Sequence, residues 1–344
     1  MGTGEAGRSS LRQLLAGLRQ LLGGLVGLSA IALLAFASPV SAASGHGPDL
    51  TVPRSDLKAA FSCPVDPADS KKTPIMLVPG TASTGPQTYL LLQGALEAYG
   101  HPVCYVSFPE LTTADIQLSV EYLVYGLRHE YELAGRKVAI YGISQGGLIP
   151  RFALTYWPDL RDKVGDLFSA AGTQHGTDVD FGGCSGGCAP AIWQMLAGSK
   201  LLRAVNSQAD ETPGGVSYTT VRTAMDELVQ PQTGKHPTSA LDGARNILIQ
   251  KVCPGRVTGH LGAILNSVTF AAFTDAVEHK GKGLKGSAKI SRLPANVCDS
   301  PYADGLVAAQ VDAIIAAAGS GLGALLEGLP KVLAEPKVRA VFKR

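Results

Sequence analysis

The stretch from Lys137 to Pro158 constrains this chain more than any other. Lys137-Val138-Ala139-Ile140-Tyr141 is a short apolar run of strand type, and a helix follows it through Phe152 and Leu154 until Pro158 stops it. Only Gly142-Ile143-Ser144-Gln145-Gly146 joins the two. So short a connection demands a sharp turn. Glycines relieve the crowding at such a turn, and the residue between them, Ser144, projects above the end of the strand.

The rest of the chain repeats this alternation. Strands are expected at Pro74–Val78, Val103–Phe108, Asp166–Ala171, Tyr218–Thr223 and Asn246–Val252, with helices near Ala191–Val205 and Leu261–His279. Between Thr113 and Gly135 the apolar residues Ile116, Val120, Leu123, Val124, Leu127 and Tyr131 follow the spacing of a helix that packs one face on a sheet. Gly135 ends it. Strands separated by helices predict an α/β fold with a mostly parallel sheet, whose ligand crevice lies beyond the carboxyl ends of the strands.

Charge excludes one class of function. With 30 Lys+Arg against 28 Asp+Glu, the chain has no basic field for nucleic acid. Its 45% hydrophobic content is ample for a core. Arg8, Arg12 and Arg19 precede an uncharged apolar run from Leu21 to Phe36, and Pro39 and Val40-Ser41-Ala42 follow it, so residues 1–42 read as a secretory signal peptide. An uncleaved membrane anchor is the alternative for this segment. Removing it takes away three Arg and Glu5, leaving 27 residues of each sign. A neutral secreted protein, in one domain over 43–344 with an Ala-rich helical tail from about 301, suits an uncharged ligand.

Six cysteines, Cys63, Cys104, Cys184, Cys188, Cys253 and Cys298, follow that segment, an even count that suggests three disulfides outside the cell. Cys184 and Cys188 flank Ser-Gly-Gly, which can close a small ring. A zinc site would need two further ligands beyond these two, and only His175 is near, so no metal is expected.

A serine becomes a nucleophile when a base takes its proton, and on such a fold the order is Ser, then Asp or Glu, then His. Among the later histidines, His236 and His279 sit in Lys-rich surface contexts, and His175 leaves little chain for an acid-bearing strand. His260, in Gly259-His260-Leu261-Gly262 between a strand and a helix, occupies the loop position a base needs. The orienting acid should end the preceding strand, where Asp226 is the choice and Glu227 its rival, since neighbours on a strand point in different directions.

Taken together, Pro74 to Thr81, Thr84-Gly85-Pro86-Gln87, Ser144-Gln145-Gly146-Gly147-Leu148, Asp226-Glu227-Leu228-Val229-Gln230-Pro231 and Gly259-His260 resemble the Candida antarctica lipase B type of α/β-hydrolase. The likeness runs from about Cys63 to Cys298. It implies an α/β-hydrolase fold with helices on both faces of the sheet and a cofactor-free lipase or esterase that acts on triacylglycerols or simple esters and meets a lipid–water interface only transiently. It implies Ser144 as nucleophile, His260 as base and Asp226 as its orienter. The oxyanion hole would be Thr81 and the backbone N–H of Gln145, and the cysteine pairs Cys63 with Cys104 and Cys253 with Cys298. Two pocket positions depart from the prototype: Ile143 replaces a bulky aromatic, which predicts a wider pocket, and Thr173 replaces an acid. The tail, including Leu306, Val311, Ile314, Ile315 and Leu326, reads equally as a groove for an acyl chain or as core. Competing functions are an acyltransferase, a polyester-degrading cutinase-like enzyme, and a non-catalytic binding protein on the same fold. A monomer is expected.

Overall fold

Alternate residues of each central strand feed opposite sides of one sheet. Met76, Val78, Val138, Ile140 and Leu167 join one apolar cluster, whereas Ile75, Leu77, Ala139, Tyr141 and Phe168 join the other. Strands buried on both faces are continuous apolar runs rather than alternating ones, and each face requires its own helical cover. The computed structural model describes residues 45–179 and 184–343; the expected signal peptide lies outside them, as do residues 180–183.

Seven strands are present among the described residues, in the order β1-β3-β2-β4-β5-β6-β7. They are β1 (Phe61–Ser62), β2 (Ile75–Val78), β3 (Val103–Val106), β4 (Val138–Ile143), β5 (Val164–Ala170), β6 (Ser217–Arg222) and β7 (Arg245–Leu248). Every neighbouring pair is parallel except the edge pair β1 and β3. The helices that matter below are α1 (Gly85–Tyr99), α2 (Ile116–Ala134), α3 (Gln145–Tyr156), α4 (Pro190–Met195), α5 (Lys200–Asn206), α6 (His260–Ile264), α7 (Ser267–Glu278) and α8 (Ala308–Glu327). Apolar residues of α2 and α3 fill the first cluster, and those of α1 and α7 fill the second.

Three expectations are corrected. The strand expected over Asn246–Val252 ends at Leu248, and Ile249–Val252 is a helical turn. The helix expected near Ala191–Val205 is two helices, α4 and α5. Ser199 caps α5 by accepting from the N–H of Leu202, and a fresh N-cap starts a second helix rather than extending the first. The helix expected over Leu261–His279 likewise breaks into α6 and α7, where the Asn266 side chain accepts from the N–H of Val268. Helix α1 went unread in the sequence, although Thr84 and Gln87 form a full capping box at its start.

Disulfides join Cys63 to Cys104, Cys184 to Cys188 and Cys253 to Cys298. Among the described residues no helix is long and apolar enough to cross a membrane, and no cluster of side chains could hold a metal ion.

Candidate active site

Strand β4 runs straight into α3, and Ser144 between them has φ 53° and ψ −121°, a conformation that non-glycine residues rarely adopt. Its N–H donates to the Ala170 carbonyl of β5 at 2.9 Å, which pins the turn to the sheet. Both flanking glycines are required by close backbone approach. A Cβ at Gly142 would run into the Gly146 carbonyl, and one at Gly146 would run into the Val78 carbonyl and lie 2.5 Å from that of Pro79. The turn therefore holds Ser144 in a strained position that the surrounding structure over-determines.

His260 begins α6 and is 2% exposed. Its Nδ1 lies 2.9 Å from both carboxylate oxygens of Asp226, itself 2% exposed. A carboxylate only accepts, so Nδ1 donates to it and Nε2 is the ring nitrogen left to act as a base. Asp226 Oδ1 also accepts from the N–H groups of Leu228 at 3.0 Å and Val229 at 2.8 Å, which fixes the carboxylate before it meets the ring. The rival acid has a different partner on the same histidine: Glu227 Oε2 accepts the backbone N–H of His260 at 2.8 Å. One acid holds the ring and the other holds the main chain, a division that the order of residues could not show.

Ser144, His260, Thr81, Ile143 and Thr173 all line one cavity of ≈ 900 Å³. The Thr81 hydroxyl donates to the buried side-chain Oε1 of Gln145 at 2.7 Å. Gln145 is also the first residue of α3, where a backbone N–H has no carbonyl partner within the helix. Ile143 is 5% exposed, and Thr173, 3% exposed, has an Oγ without a hydrogen-bond partner. The tail serves both roles open to it: Val311 is buried in the second core, Ile314 lines the cavity, and Ile315 and Leu326 line the cavity while also packing against the cores. Ile192 and Met195 of α4 and Leu228 and Val229 beside the acid complete an apolar wall that sequence reasoning missed. Nothing in their local pattern separates them from ordinary core residues.

The remaining histidines lie elsewhere. His175 Nε2 meets Glu211 at 2.7 Å and its Nδ1 meets the Thr238 carbonyl at 3.2 Å, beside a second cavity that His236 also lines. His279 Nδ1 donates to the Asp275 carbonyl at 2.7 Å on the surface end of α7.

A half-buried serine on a strained turn, an imidazole oriented by a buried carboxylate, and a helix-start N–H with no carbonyl partner within the helix can together perform nucleophilic acyl transfer. Known proteins agree with that chemistry. Lipase B of Pseudozyma antarctica is 31% identical over 305 residues, which cover 85% of this chain and 86% of that protein. The crystal structure of Aspergillus fumigatus lipase B superimposes with a TM-score of 0.77 at 27% identity, covering 87% of this chain and 74% of that one. No family model matches the chain. By its identity to lipase B over most of both lengths, and by the fold it shares with a second lipase B, the chain belongs to the lipase B family of α/β-hydrolases, which are lipases and esterases acting on carboxylic esters.

Proposed function

We propose that the chain is a secreted serine lipase or esterase in which Ser144, His260 and Asp226 form the catalytic triad and Thr81 and Gln145 form the oxyanion hole. The observation that carries this reading is the Asp226 carboxylate at 2.9 Å from His260 Nδ1, on the wall of the cavity that also contains Ser144. Ser144 Oγ attacks the ester carbonyl carbon as its proton passes to His260 Nε2. The carbonyl oxygen becomes an oxyanion, held by the Gln145 N–H and by the N–H and hydroxyl of Thr81. His260 then gives its proton to the departing alkoxide, leaving an acyl-enzyme. Water, deprotonated by the same imidazole, attacks the acyl carbon, and the collapse releases the acid and returns the proton to Ser144. A cavity walled by Leu261, Ile264, Ile314 and Ile315 favours uncharged lipid or simple ester substrates over ionic ones. In this reading residues 1–42 are removed on secretion and the remainder works as a monomer without a cofactor.

A fluorophosphonate probe tests the proposal directly. The purified protein is expected to be labelled stoichiometrically at Ser144, and Ser144→Ala and His260→Ala are each expected to lower hydrolysis of a nitrophenyl ester by several orders of magnitude. The double variant should be little worse than either, because the residues act as a unit. Substantial turnover by purified Ser144→Ala would overturn the mechanism.

A further inference from the structure

The Thr81 hydroxyl has one proton, and in the resting site that proton is already given to Gln145 Oε1 at 2.7 Å. An oxyanion in the cavity needs the same proton. Thr81 Oγ otherwise approaches Met195 Sδ at 3.9 Å, a weak acceptor. Gln145 is 0% exposed, and Nε2, the other arm of its amide, is shut off from water with no hydrogen-bond partner. A buried amide arm left unpaired is unfavourable, so the present orientation of this side chain is not held by its full set of bonds.

The torsion that turns the amide is broad and nearly two-fold. Turned over, Nε2 would donate to Thr81 Oγ and Oε1 would become the unpaired arm. Each orientation thus makes one hydrogen bond to Thr81 and strands one atom, so bond count does not choose between them. What differs is the proton on Thr81. With Oε1 toward it, the hydroxyl must donate to Gln145; with Nε2 toward it, the hydroxyl accepts from Gln145 and its own proton is free. Negative charge beside Thr81 favours the second arrangement, because a chain of donors then runs from the amide through the hydroxyl to that charge.

We propose that the Gln145 side chain is a two-position positioning element that holds the Thr81 proton in the resting enzyme and releases it to the oxyanion by turning over its amide. The proposal rests on the reading of Thr81 as an oxyanion donor. Only hydrogen bonds change; the Ser144 proton still passes to His260.

The test is a double-mutant cycle between Gln145 and Thr81, read as kcat and KM on a nitrophenyl ester across pH. An ionised carboxylate only accepts, so Gln145→Glu should lock the Thr81 proton away from the oxyanion. It should lower kcat by about 10²–10³-fold, the loss typical of one missing oxyanion donor, with KM nearly unchanged. The ratio of wild-type to variant kcat should shrink as pH falls, because a protonated carboxyl regains an O–H to donate. In the Thr81→Val background, Gln145→Glu should add almost nothing. The same full loss in both backgrounds would mean that the carboxylate acts by its charge alone, and would overturn the proposal; so would an unchanged kcat for Gln145→Glu. Thr81→Val alone separates the two levels: if it leaves kcat intact, the Thr81 hydroxyl is no oxyanion donor and that part of the underlying reading has failed. Should Gln145→Glu not fold, Gln145→Met carries the same cycle. Its expected several-fold loss of kcat must disappear in Thr81→Val, and equal losses in both backgrounds, or none in either, overturn the proposal.

Discussion

Two adjacent acids converge on one histidine, and their contributions separate by what they touch. Asp226 meets the ring and Glu227 meets the main-chain N–H of His260, at 2.8 Å from an otherwise exposed side chain. That N–H lies in the first turn of α6, where no carbonyl of the helix reaches it. Glu227 therefore anchors the start of α6 and with it the direction of the imidazole, while taking no part in proton transfer. Glu227→Gln keeps an acceptor oxygen at this position and should retain most of the activity. Glu227→Ala removes it, and a catalytic group displaced by about 1 Å loses on the order of 10²-fold in rate. A fall in kcat for the alanine variant, with little change in KM and with rescue by glutamine, is the expected pattern. Equal losses in the two variants would assign the effect to charge instead.

At the scale of elements, α2 contains an apparent flaw. Glu130 is 0% exposed and neither of its carboxylate oxygens has a hydrogen-bond partner. Burial pushes its carboxyl well above the usual range, and the nearby Arg136 offsets this only in part. The fold thus prefers the neutral form. Its contribution to stability is fully present below the unfolded value of about 4.3 and is lost as pH rises through the raised folded value. Glu130→Gln removes this titration while preserving shape. The urea midpoint of the variant should gain on wild type between pH 4 and pH 8, and a difference that stays constant over that range would show that Glu130 ionises in the fold without penalty. Helix α2 tolerates the residue because Ile116, Val120, Leu123, Val124 and Leu127 already bury an apolar stripe in the first cluster.

On the scale of the molecule, the segment after α8 ties the cavity wall to the far side of the sheet. Val332 pairs with Cys188 beside the small disulfide ring, and Glu335 accepts the first N–H groups of α5, from Lys200 and Leu201, at 2.9 Å each. Arg339 then reaches α2. Its N–H donates to Gln117 Oε1 at 2.7 Å and its guanidinium pairs with Glu121, which also accepts the Val52 N–H at 2.9 Å. Phe342 ends the path, 1% exposed among Phe152, Tyr156 and Trp157. Truncating a buried phenylalanine costs about 3–5 kcal/mol. Phe342→Ala should lower unfolding free energy by that order in urea, while kcat/KM at 25 °C stays close to wild type, since Phe342 packs against α3 and does not line the cavity. A large loss of kcat/KM in protein that remains folded would show instead that this strap sets the shape of the cavity.

Local physics decided what could be read without coordinates. A strand, a five-residue turn and a helix made the sharp turn at Ser144 legible in Lys137 to Pro158, and the alternation of strands and helices along the chain made the mostly parallel sheet legible. The order of Ser144, an acid and His260 followed from the topology that turn imposes, and the apolar periodicity of α2 from its contact with one face of the sheet. What remained hidden depended on residues distant in the chain. The breaks between α4 and α5 and between α6 and α7 arise because Ser199 and Asn266 satisfy new helix starts, in competition with an apolar pattern that runs straight through them. The partition of Asp226 and Glu227 between ring and main chain, the hydrogen bond from Thr81 to Gln145 across 64 positions, and the presence of Ile314 and Ile315 on the cavity wall were likewise decided in three dimensions. Periodicity identifies which side chains leave water, whereas only the tertiary packing determines whether they then meet one another or the space reserved for a substrate.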